Sequence, residues 1–600
     1  MQQECWVLLD DCNATADAPT SRLYSGYSET LECADAGGLN IWMAQIQEAL
    51  DGGRCAVLLC DYELGAGLHG IAVRPGQGPA ARALLFAQCR RLSRQQADDW
   101  LAAQAGEAPA GIAGLKAGED AHRFADAIGR IHAWLEAGDA YQINHTWRFH
   151  FDVWGEPAAL YRRLRARQPV PYGALALLPD GAAVLSLSPE LFMRQQGRTL
   201  TAQPMKGTAP AAGDAALDAV TAAQMQADPK TRAENLMIVD LLRNDFGQVA
   251  ETGSVTVPAL FQVDRYGAVL QMTSTVKATR RTDAGFARIL SALYPCGSVT
   301  GAPKRRAMQI IRELEDTPRG IYTGAIGWLE ASGDFCLSVP IRTLALAAPQ
   351  GGVRAGVLGV GAGIVHDSRA QDEYQECLQK ARFLTGLPQE FTLFETMHAT
   401  RDAGCRHLER HLARLAASAR YFGFGWDEPA LRARIAAACI ALGEGEHALK
   451  LVLSFNGEAT LAASLLAPWP QPVSVLLAPQ PTVSDDLFLR HKTSLRARYD
   501  QAWRSAQEQG AFDMLFHNEK GELTEGGRSN VFLRLDGQWL TPPLEAGVLP
   551  GVMRGVLLDD PAWRARQARL TMADLHRAEQ IVVCNALRGA MRARVAGGVA

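Results

Sequence analysis

Long apolar runs, basic blocks and paired cysteines are what this 600-residue sequence lacks. No stretch of about 18 apolar residues occurs, which removes a membrane-spanning helix from consideration. The opening segment MQQECWVLLDD has no basic region ahead of an apolar one, so no targeting leader is expected and the protein reads as cytoplasmic. Sixty Lys and Arg stand against 64 Asp and Glu, a net charge of -4. No Lys/Arg run is long enough to select a nucleic acid or an anionic membrane, and a small-molecule substrate fits better. The twelve cysteines, scattered from Cys5 to Cys584 without a CxxC pair, read as reduced and mostly buried thiols rather than as a disulfide framework or zinc site. No internal repeat of roughly 20 to 50 residues is visible.

At 48% hydrophobic, a chain this long exceeds what one core organises, so two or three domains are expected. The first 115 residues carry little chemical information: a short apolar run, CAVLLCDYELG at 55–65, is followed by an Ala- and Arg-rich stretch that reads as a loosely specified helix. From His122 the pattern sharpens. Phe124, Ile128, Ile131 and Leu135 recur at helical spacing, Gly138-Asp139 closes that helix, and YQINHTWRFHFDV reads as a strand. Many strands mixed with helices continue to about Leu384, the mark of a large α+β domain over 1–384. TGLPQEF at 385–391 reads as a short linker, and 392–600 shows a second pattern with its own strands (FTLFETMHA, ALKLVLSFNG, VSVLLAPQ, NVFLRLDG, QIVVCNA).

Five segments carry the chemistry of the first domain: SLSPELF (186–192), QPMKGTAP (203–210), TRAENLMIVDLLRNDFG (231–247), GSVTGAPKRRAM (297–308) and GAGIVHDSRAQDEYQECLQKA (361–381). Glu373, Glu376 and Lys380 fall on one face of a helix. Glu234 lies on another helix, and two carboxylates from separate helices plus water are a donor set that Mg²⁺ takes. The plainer reading of Glu376 and Lys380 is an i,i+4 ion pair at the surface. GAGIV and GAPK supply backbone N–H groups able to hold a carboxylate, although glycines there also serve as turns.

In this order, over roughly 120–384, the segments resemble the chorismate-utilising enzymes, which include the anthranilate, aminodeoxychorismate, isochorismate and salicylate synthases. The resemblance implies a chorismate-binding sandwich of helices and sheet. It implies that Glu234 and Glu376 bind Mg²⁺ with Glu373 in support, and that Thr208, Tyr322, Arg342, Gly363 and Lys380 contact substrate. Lys206, in PMKGT, stands where anthranilate synthases typically carry alanine and resembles the aminodeoxychorismate synthases. There a deprotonated amine adds to C2 of chorismate and expels the C4 hydroxyl, with Glu190 as acid and base. Gln142, in AYQIN, replaces the lysine with which isochorismate and salicylate synthases activate water. Gln271 stands where many relatives have a histidine associated with loss of pyruvate. No glutaminase cysteine of GxCxGxQ type is present, so ammonia is expected from a separate glutamine amidotransferase subunit.

In the second domain the segments are FETMHA (394–399), HLERHLARL (407–415), RHKTSLRARYDQA (490–502), FDMLFHNEKGELTEGGRSNVFL (512–533), LPGVMRGVLL (549–558) and VVCNALRGAM (582–591). Together they resemble the fold-type IV pyridoxal-phosphate enzymes, the branched-chain aminotransferase and aminodeoxychorismate lyase group. The resemblance puts the Schiff-base lysine at Lys492 and Glu525 beside the pyridine nitrogen. It puts Arg414 at the phosphate, with Gly551, Val552, Met553, Asn585 and Ala586 completing the cradle. Tyr499 is a further cofactor contact at an unusual spacing from Lys492. The strand and turn that precede FET in the family are missing here. A homodimer is expected because fold-type IV relatives commonly pair.

These expectations combine into one route, chorismate plus ammonia to 4-amino-4-deoxychorismate and then, by elimination of pyruvate, to 4-aminobenzoate. Two alternatives stand beside it. One is an anthranilate synthase fused to a branched-chain-type aminotransferase. The other is a synthase carrying a non-catalytic cofactor-binding scaffold.

Overall fold

A computed structural model describes residues 4–74, 78–266 and 269–596; the first three residues of the segment read as carrying no leader lie outside them. None of its helices is long and apolar enough to cross a membrane, among the described residues. The chain divides into two compact units, one of Met1–Gly111, Leu115–Pro349 and Arg354–Leu387, the other of Ile112–Gly114, Gln350–Val353 and Pro388–Ala600.

The first unit is organised by one large sheet whose strands follow each other in space far out of chain order. From one end it passes Thr256–Tyr266, Val269–Thr279, Thr199–Gln203, Leu191–Gln196, Phe335–Ser338, Ala325–Leu329, Cys55–Cys60, Ala81–Leu92, Ser21–Cys33, Trp6–Asp10 and Tyr172–Leu177. It continues through Ala183–Ser188, Thr343–Leu346 and Arg354–Ile364 to Gln142–Trp154, every pairing antiparallel. The helix Ala121–Glu136 and the strand Gln142–Trp154 lie where the periodicity places them. The Ala- and Arg-rich stretch is not helical throughout: Ala81–Leu92 is a strand, and Arg94–Ala105 is a helix. Ala and Arg favour helix in isolation, but hydrogen bonding to both Ser21–Cys33 and Cys55–Cys60 overrides that preference.

Buried charge fixes the helix Lys304–Leu314 against this sheet. Lys304 Nζ donates to Asp245 Oδ2 at 2.7 Å and to the Leu293 carbonyl at 2.7 Å, so the lysine of GAPK is a structural ion pair. The glycine of the same motif permits a close approach, since a Cβ on Gly301 would stand 2.1 Å from the Gln142 carbonyl oxygen. Just beyond the helix, Arg319 grips both oxygens of Glu315 at 2.7 and 2.9 Å and donates to the carbonyls of Asn144 (2.7 Å) and Val299 (2.8 Å). Thr146 donates to Glu315 Oε1 through its N–H and its hydroxyl, each at 2.9 Å. One buried pair thereby ties the strand bearing Gln142 to the turn Gly297–Val299.

The second unit contains two sheets. Gly404–Cys405, Leu393–Thr400, His447–Leu453 and Ala459–Leu465 form a four-stranded antiparallel sheet. In the other, Leu523–Gly526, Asp513–His517, Val473–Leu477, Gly589–Val595, Gln580–Asn585 and Asn530–Leu535 follow in turn, and the last pairs back to the first through Glu525 opposite Asn530. Six strands thus close into a ring around Val473, Val475, Leu515, Leu523, Val531, Leu533, Val583 and Met591.

Removing one member of a buried ion pair leaves the other charged and out of water, at a cost of about 3–5 kcal/mol. Glu315→Ala is therefore expected to lower the stability of the first unit by that order, read as a shifted urea midpoint of tryptophan fluorescence; an unshifted midpoint would remove the pair from the supports of this fold.

Candidate active sites

In the first unit Lys206 and Thr208 lie on the strand Met205–Pro210, Glu234 on the helix Pro229–Gly247, Glu373, Glu376 and Lys380 on the helix Ala370–Thr385 and Gly363 on the strand Arg354–Ile364, while Glu190, Tyr322 and Arg342 lie between named elements. Gly207 has φ 83°, and a Cβ there would stand 2.3 Å from Thr231 Cγ2. A side chain at that position would push Lys206 away from the helix that carries Glu234. The lysine head reaches Gly363: its Nζ lies 2.7 Å from where a Cβ on Gly363 would stand, with the Gln142 amide nitrogen 3.1 Å from the same point. Gln142 is fully buried and neither end of its carboxamide has a hydrogen-bond partner. Burial holds the Lys206 amine below its ordinary pKa and Lys380 adds repulsion, against the attraction of Glu234, Glu376 and Glu190.

Glu190 is 3% exposed. Burial pushes its carboxyl up to about 7 against three opposing influences: a hydrogen bond from Ser298, the charge of Lys206 and the Met205 N–H. A carboxyl poised near neutrality suits an acid that must also act as a base.

Arg342 sits in the left-handed region at φ 52°. Its Nη1 is buried without a partner, and burial alone lowers the guanidinium to about 10. A desolvated guanidinium with no carboxylate against it matches an anionic ligand taken in fork geometry. Tyr322 packs where a Cβ on Gly359 would come within 2.2 Å of its ring, and Arg148 lies 5.1 Å over the ring face. Thr208 is exposed and stands opposite Gln271 in the strand register; the Gln271 side-chain oxygen is buried and unpartnered.

Lys380 donates to Glu376 at 2.7 Å and to the Gly361 carbonyl at 2.9 Å. The i,i+4 pair therefore exists, but it stands beside Lys206 rather than apart from it, because Glu376 and Lys380 both act on that amine. Glu373 accepts from the Ser368 hydroxyl at 2.7 Å, and burial followed by repulsion from Glu376 raises its pKa. Glu234, Glu373 and Glu376 do not converge as a preformed triad: no cluster of three His, Cys, Asp or Glu able to hold a metal occurs among the described residues. What the site offers a hard cation is two carboxylates, Glu234 and Glu376, within electrostatic reach of the same amine. That set fits Mg²⁺, which is commonly held by one or two carboxylates with water and substrate completing the shell.

In the second unit the Lys492 segment is stitched to the strand Leu393–Thr400. Phe394 N–H donates to the Lys492 carbonyl at 3.1 Å, and Ser494 N–H to Thr392 at 2.9 Å. Lys492 Nζ lies 4.9 Å from the Phe394 ring centroid. Burial, then repulsion from Arg414, lowers the Lys492 amine to about 7, so a neutral nucleophile is available near physiological pH. Glu525, at the seam of the ring of strands, is 6% exposed and raised by burial to about 8. Its Oε2 accepts 3.0 Å bonds from Asn530 Nδ2 and from the Leu549 N–H. The Tyr499 hydroxyl and Thr524 Oγ1 are buried without partners.

Arg414 is engaged more tightly than its expected part as a phosphate ligand implies. Glu395 takes its Nε at 2.8 Å and Nη2 at 2.6 Å, and Nη1 donates to the Pro550 carbonyl at 3.1 Å. Glu395 also accepts from His411 Nδ1 at 2.7 Å, and despite burial these two partners lower it to about 2. Gly551 caps the helix Val552–Asp559, which has no side-chain cap, and a Cβ on Gly551 would stand 1.8 Å from Asn530 Oδ1. Val552 and Met553 open that helix. Asn585 and Ala586 lie in the turn between Gln580–Asn585 and Gly589–Val595, with the Ala586 carbonyl accepting from Arg406 at 3.0 Å. A lysine of lowered pKa, a buried carboxyl, two unpartnered hydroxyls and an uncapped helix start together fit pyridoxal phosphate.

Four residues of this geometry escaped the sequence reading: Ser298 beside Glu190, and Glu395, His411 and Asn530 around Arg414 and Glu525. Ser298, Glu395, His411 and Asn530 all stand inside the segments quoted above, but only spatial proximity gives them partners.

Two family models match the chain. That for chorismate binding enzymes covers residues 42–386, and that for the amino-transferase class IV covers 392–595. Among curated proteins, aminodeoxychorismate synthase component 1 of Klebsiella aerogenes is 41% identical over 284 residues, 47% of this chain and 62% of that protein. Anthranilate synthase component 1 of Streptomyces coelicolor is 39% identical over 260 residues, 43% of this chain and 50% of that protein. The chain thus spans less than two thirds of the length of these relatives. A solved structure of a proposed 2,3-dihydroxybenzoate-specific isochorismate synthase from Bacillus anthracis aligns with TM-score 0.51 at 18% identity, covering 64% of this chain and 96% of its own. With the first model matching more than half of the sequence, the chain belongs to the chorismate binding enzymes and carries an amino-transferase class IV unit fused behind them.

Proposed function

We propose that the first unit converts chorismate and ammonia to 4-amino-4-deoxychorismate, and that the second removes pyruvate from this product to give 4-aminobenzoate. The observation that carries the reading is Lys206, a buried amine of lowered pKa filling the space that Gly363 leaves open, with Glu190 acting on it electrostatically. Sequence identity does not choose the product, because the aminodeoxychorismate and anthranilate synthase relatives stand at 41% and 39%.

In the first reaction Lys206 Nζ, as the neutral amine, forms a bond to C2 of chorismate while the C4–O bond breaks. Glu190 supplies the proton with which the C4 hydroxyl leaves as water. Ammonia then bonds to C4, the C2–Nζ bond breaks, and Glu190 takes up the proton that ammonia sheds. Arg342 supplies a fork for a substrate carboxylate, and Thr208, Tyr322, Gly363 and Lys380 line the same site. Glu234 and Glu376 would hold Mg²⁺, with Glu373 in support. A separate glutamine amidotransferase delivers the ammonia, a reading supported by the component 1 designation of the relative. We place the protein in the cytoplasm and, by analogy with fold-type IV enzymes, as a homodimer.

In the second unit Lys492, Arg414, Glu525, Gly551, Val552, Met553, Asn585 and Ala586 would hold pyridoxal phosphate, which supplies an electron sink to carbanion chemistry. Lys492, whose amine burial lowers to about 7, takes in its neutral form the proton from C4 of the substrate. Glu525 would stand beside the ring nitrogen and could hold a proton there. Loss of the enolpyruvyl group as pyruvate leaves an aromatic ring, which makes the step strongly downhill. Domain limits at 385–391 follow from the same division of labour.

Purified protein given chorismate, ammonium, Mg²⁺ and pyridoxal phosphate is expected to release 4-aminobenzoate and pyruvate together; anthranilate as the sole amine would overturn the Lys206 argument. In Lys492→Ala the amino intermediate accumulates and the visible band of lysine-bound cofactor is lost. Continued aminobenzoate formation by that variant would reduce the second unit to a scaffold. Lys206→Ala should cut 4-amino product formation by roughly two to four orders of magnitude, the span by which covalent and acid–base groups commonly act; chromatographic output equal to wild type would sink the nucleophile. Glu234→Gln should lose Mg²⁺-dependent turnover, and an unaltered Mg²⁺ titration of the rate would remove it from the metal site.

A further inference from the structure

The carboxyl of Glu190 is reached by a hydroxyl and a thiol that the reaction scheme leaves unused. Ser298 Oγ donates to Glu190 Oε1 at 2.7 Å, and Cys296 Sγ lies 3.2 Å from the same Ser298 oxygen. All three side chains are buried. The main chain around them is also fixed: Glu190 N–H donates to Ser188 Oγ at 3.2 Å, and the Glu190 carbonyl accepts from Val339 N–H at 3.1 Å. Ser298 and Cys296 come from the segment that Arg319 anchors through the Val299 carbonyl.

We propose that Ser298 is a positioning residue for Glu190: it fixes Oε1 as a hydrogen-bond acceptor, holds the carboxyl within reach of ionisation, and leaves Oε2 as the oxygen that gains and loses the proton. The inference rests on the reading of Glu190 as acid and base. Its direction follows from donor count. A serine hydroxyl has one proton, and spending it on Glu190 leaves its oxygen free to accept. Burial pushes the Cys296 thiol up to about 12, so it keeps its S–H and can donate to Ser298. The thiol can therefore donate to Ser298 or to Glu190 Oε1 itself, and in either case S–H and O–H donors stabilise the ionised carboxylate.

The Cys296 Sγ also lies 4.0 Å from Glu190 Oε1. Burial raises the carboxyl, while the Lys206 charge and the Met205 N–H, both from the strand Met205–Pro210, lower it alongside Ser298. Lys206 changes its own bonding during the proposed cycle, since its Nζ is spent on C2 of the substrate. Ser298 and the Met205 N–H are the two influences that persist through that step. Without the hydroxyl, the ionised carboxyl would lose one of those two constant supports.

The test is an infrared titration of the intact protein without substrate, in which the protonated-carboxyl band absent from Glu190→Gln identifies Glu190. Ser298→Ala is expected to raise the midpoint by about one pH unit, the scale of one hydrogen bond to a charged group. Ser298→Thr, which keeps the hydroxyl, should return it to the wild-type value, and Cys296→Ala should produce a smaller rise. Should Ser298→Ala fail to fold, Ser298→Cys keeps the reach with a weaker donor and should give an intermediate midpoint. An unmoved midpoint in Ser298→Ala or Ser298→Cys, or an equal rise in Ser298→Thr, overturns the proposal. Because no substrate is present, the result is independent of the product assay: anthranilate from the wild-type protein would overturn the functional reading alone.

Discussion

Taking an ammonium or a guanidinium out of water without a full counter-charge is costly, and both units are built around accepting that cost at chosen places. Arg342 has no carboxylate against it, Lys206 is held down by burial despite three acidic neighbours, and Lys492 is lowered to about 7. Two other buried cations are paired with carboxylates, Arg319 with Glu315 and Lys304 with Asp245. The contrast separates structural charge from chemical charge. In those two pairs the side chain braces the fold, whereas Arg342, Lys206 and Lys492 stand in the candidate sites.

The two units reach a neutral lysine by different means. Lys206 sits among carboxylates that keep part of its charge, so its reactivity depends on how those acids are engaged. Lys492 has Arg414 as its chief charged neighbour, and Arg414 is itself tied to Glu395 and thereby to His411. Glu395 still favours the charge on Lys492 while it also serves an arginine and a histidine.

Much of this was legible in the sequence because it is written in short segments. The helix at Ala121–Glu136 obeys local periodicity, as do the alternating strands Leu393–Thr400 and His447–Leu453 of the second unit. Lys206 and Lys492 were legible through the motifs around them. The strand Ala81–Leu92 was not, because its order comes from two neighbours distant in sequence. Nor was the service that Glu395 gives Arg414, nor the bond from Ser298 to Glu190, which spans 108 positions. The closing of the second sheet at Glu525 and Asn530 was likewise invisible, since one pair of residues decides it. What a sequence conceals here is adjacency between segments, and adjacency is what sets the pKa of a buried group.

The room beside Gly363 has a consequence for how such a site could change over time. Lys206 Nζ occupies space that any other residue at 363 would claim, so the lysine and the glycine form one unit of variation. A lineage that gained a methyl group at 363 first would find the lysine displaced. One that lost the lysine first would leave a void beside an unpartnered glutamine. Passing between a chemistry that uses this amine and one that does without it therefore asks for both positions to change together, whichever changes first.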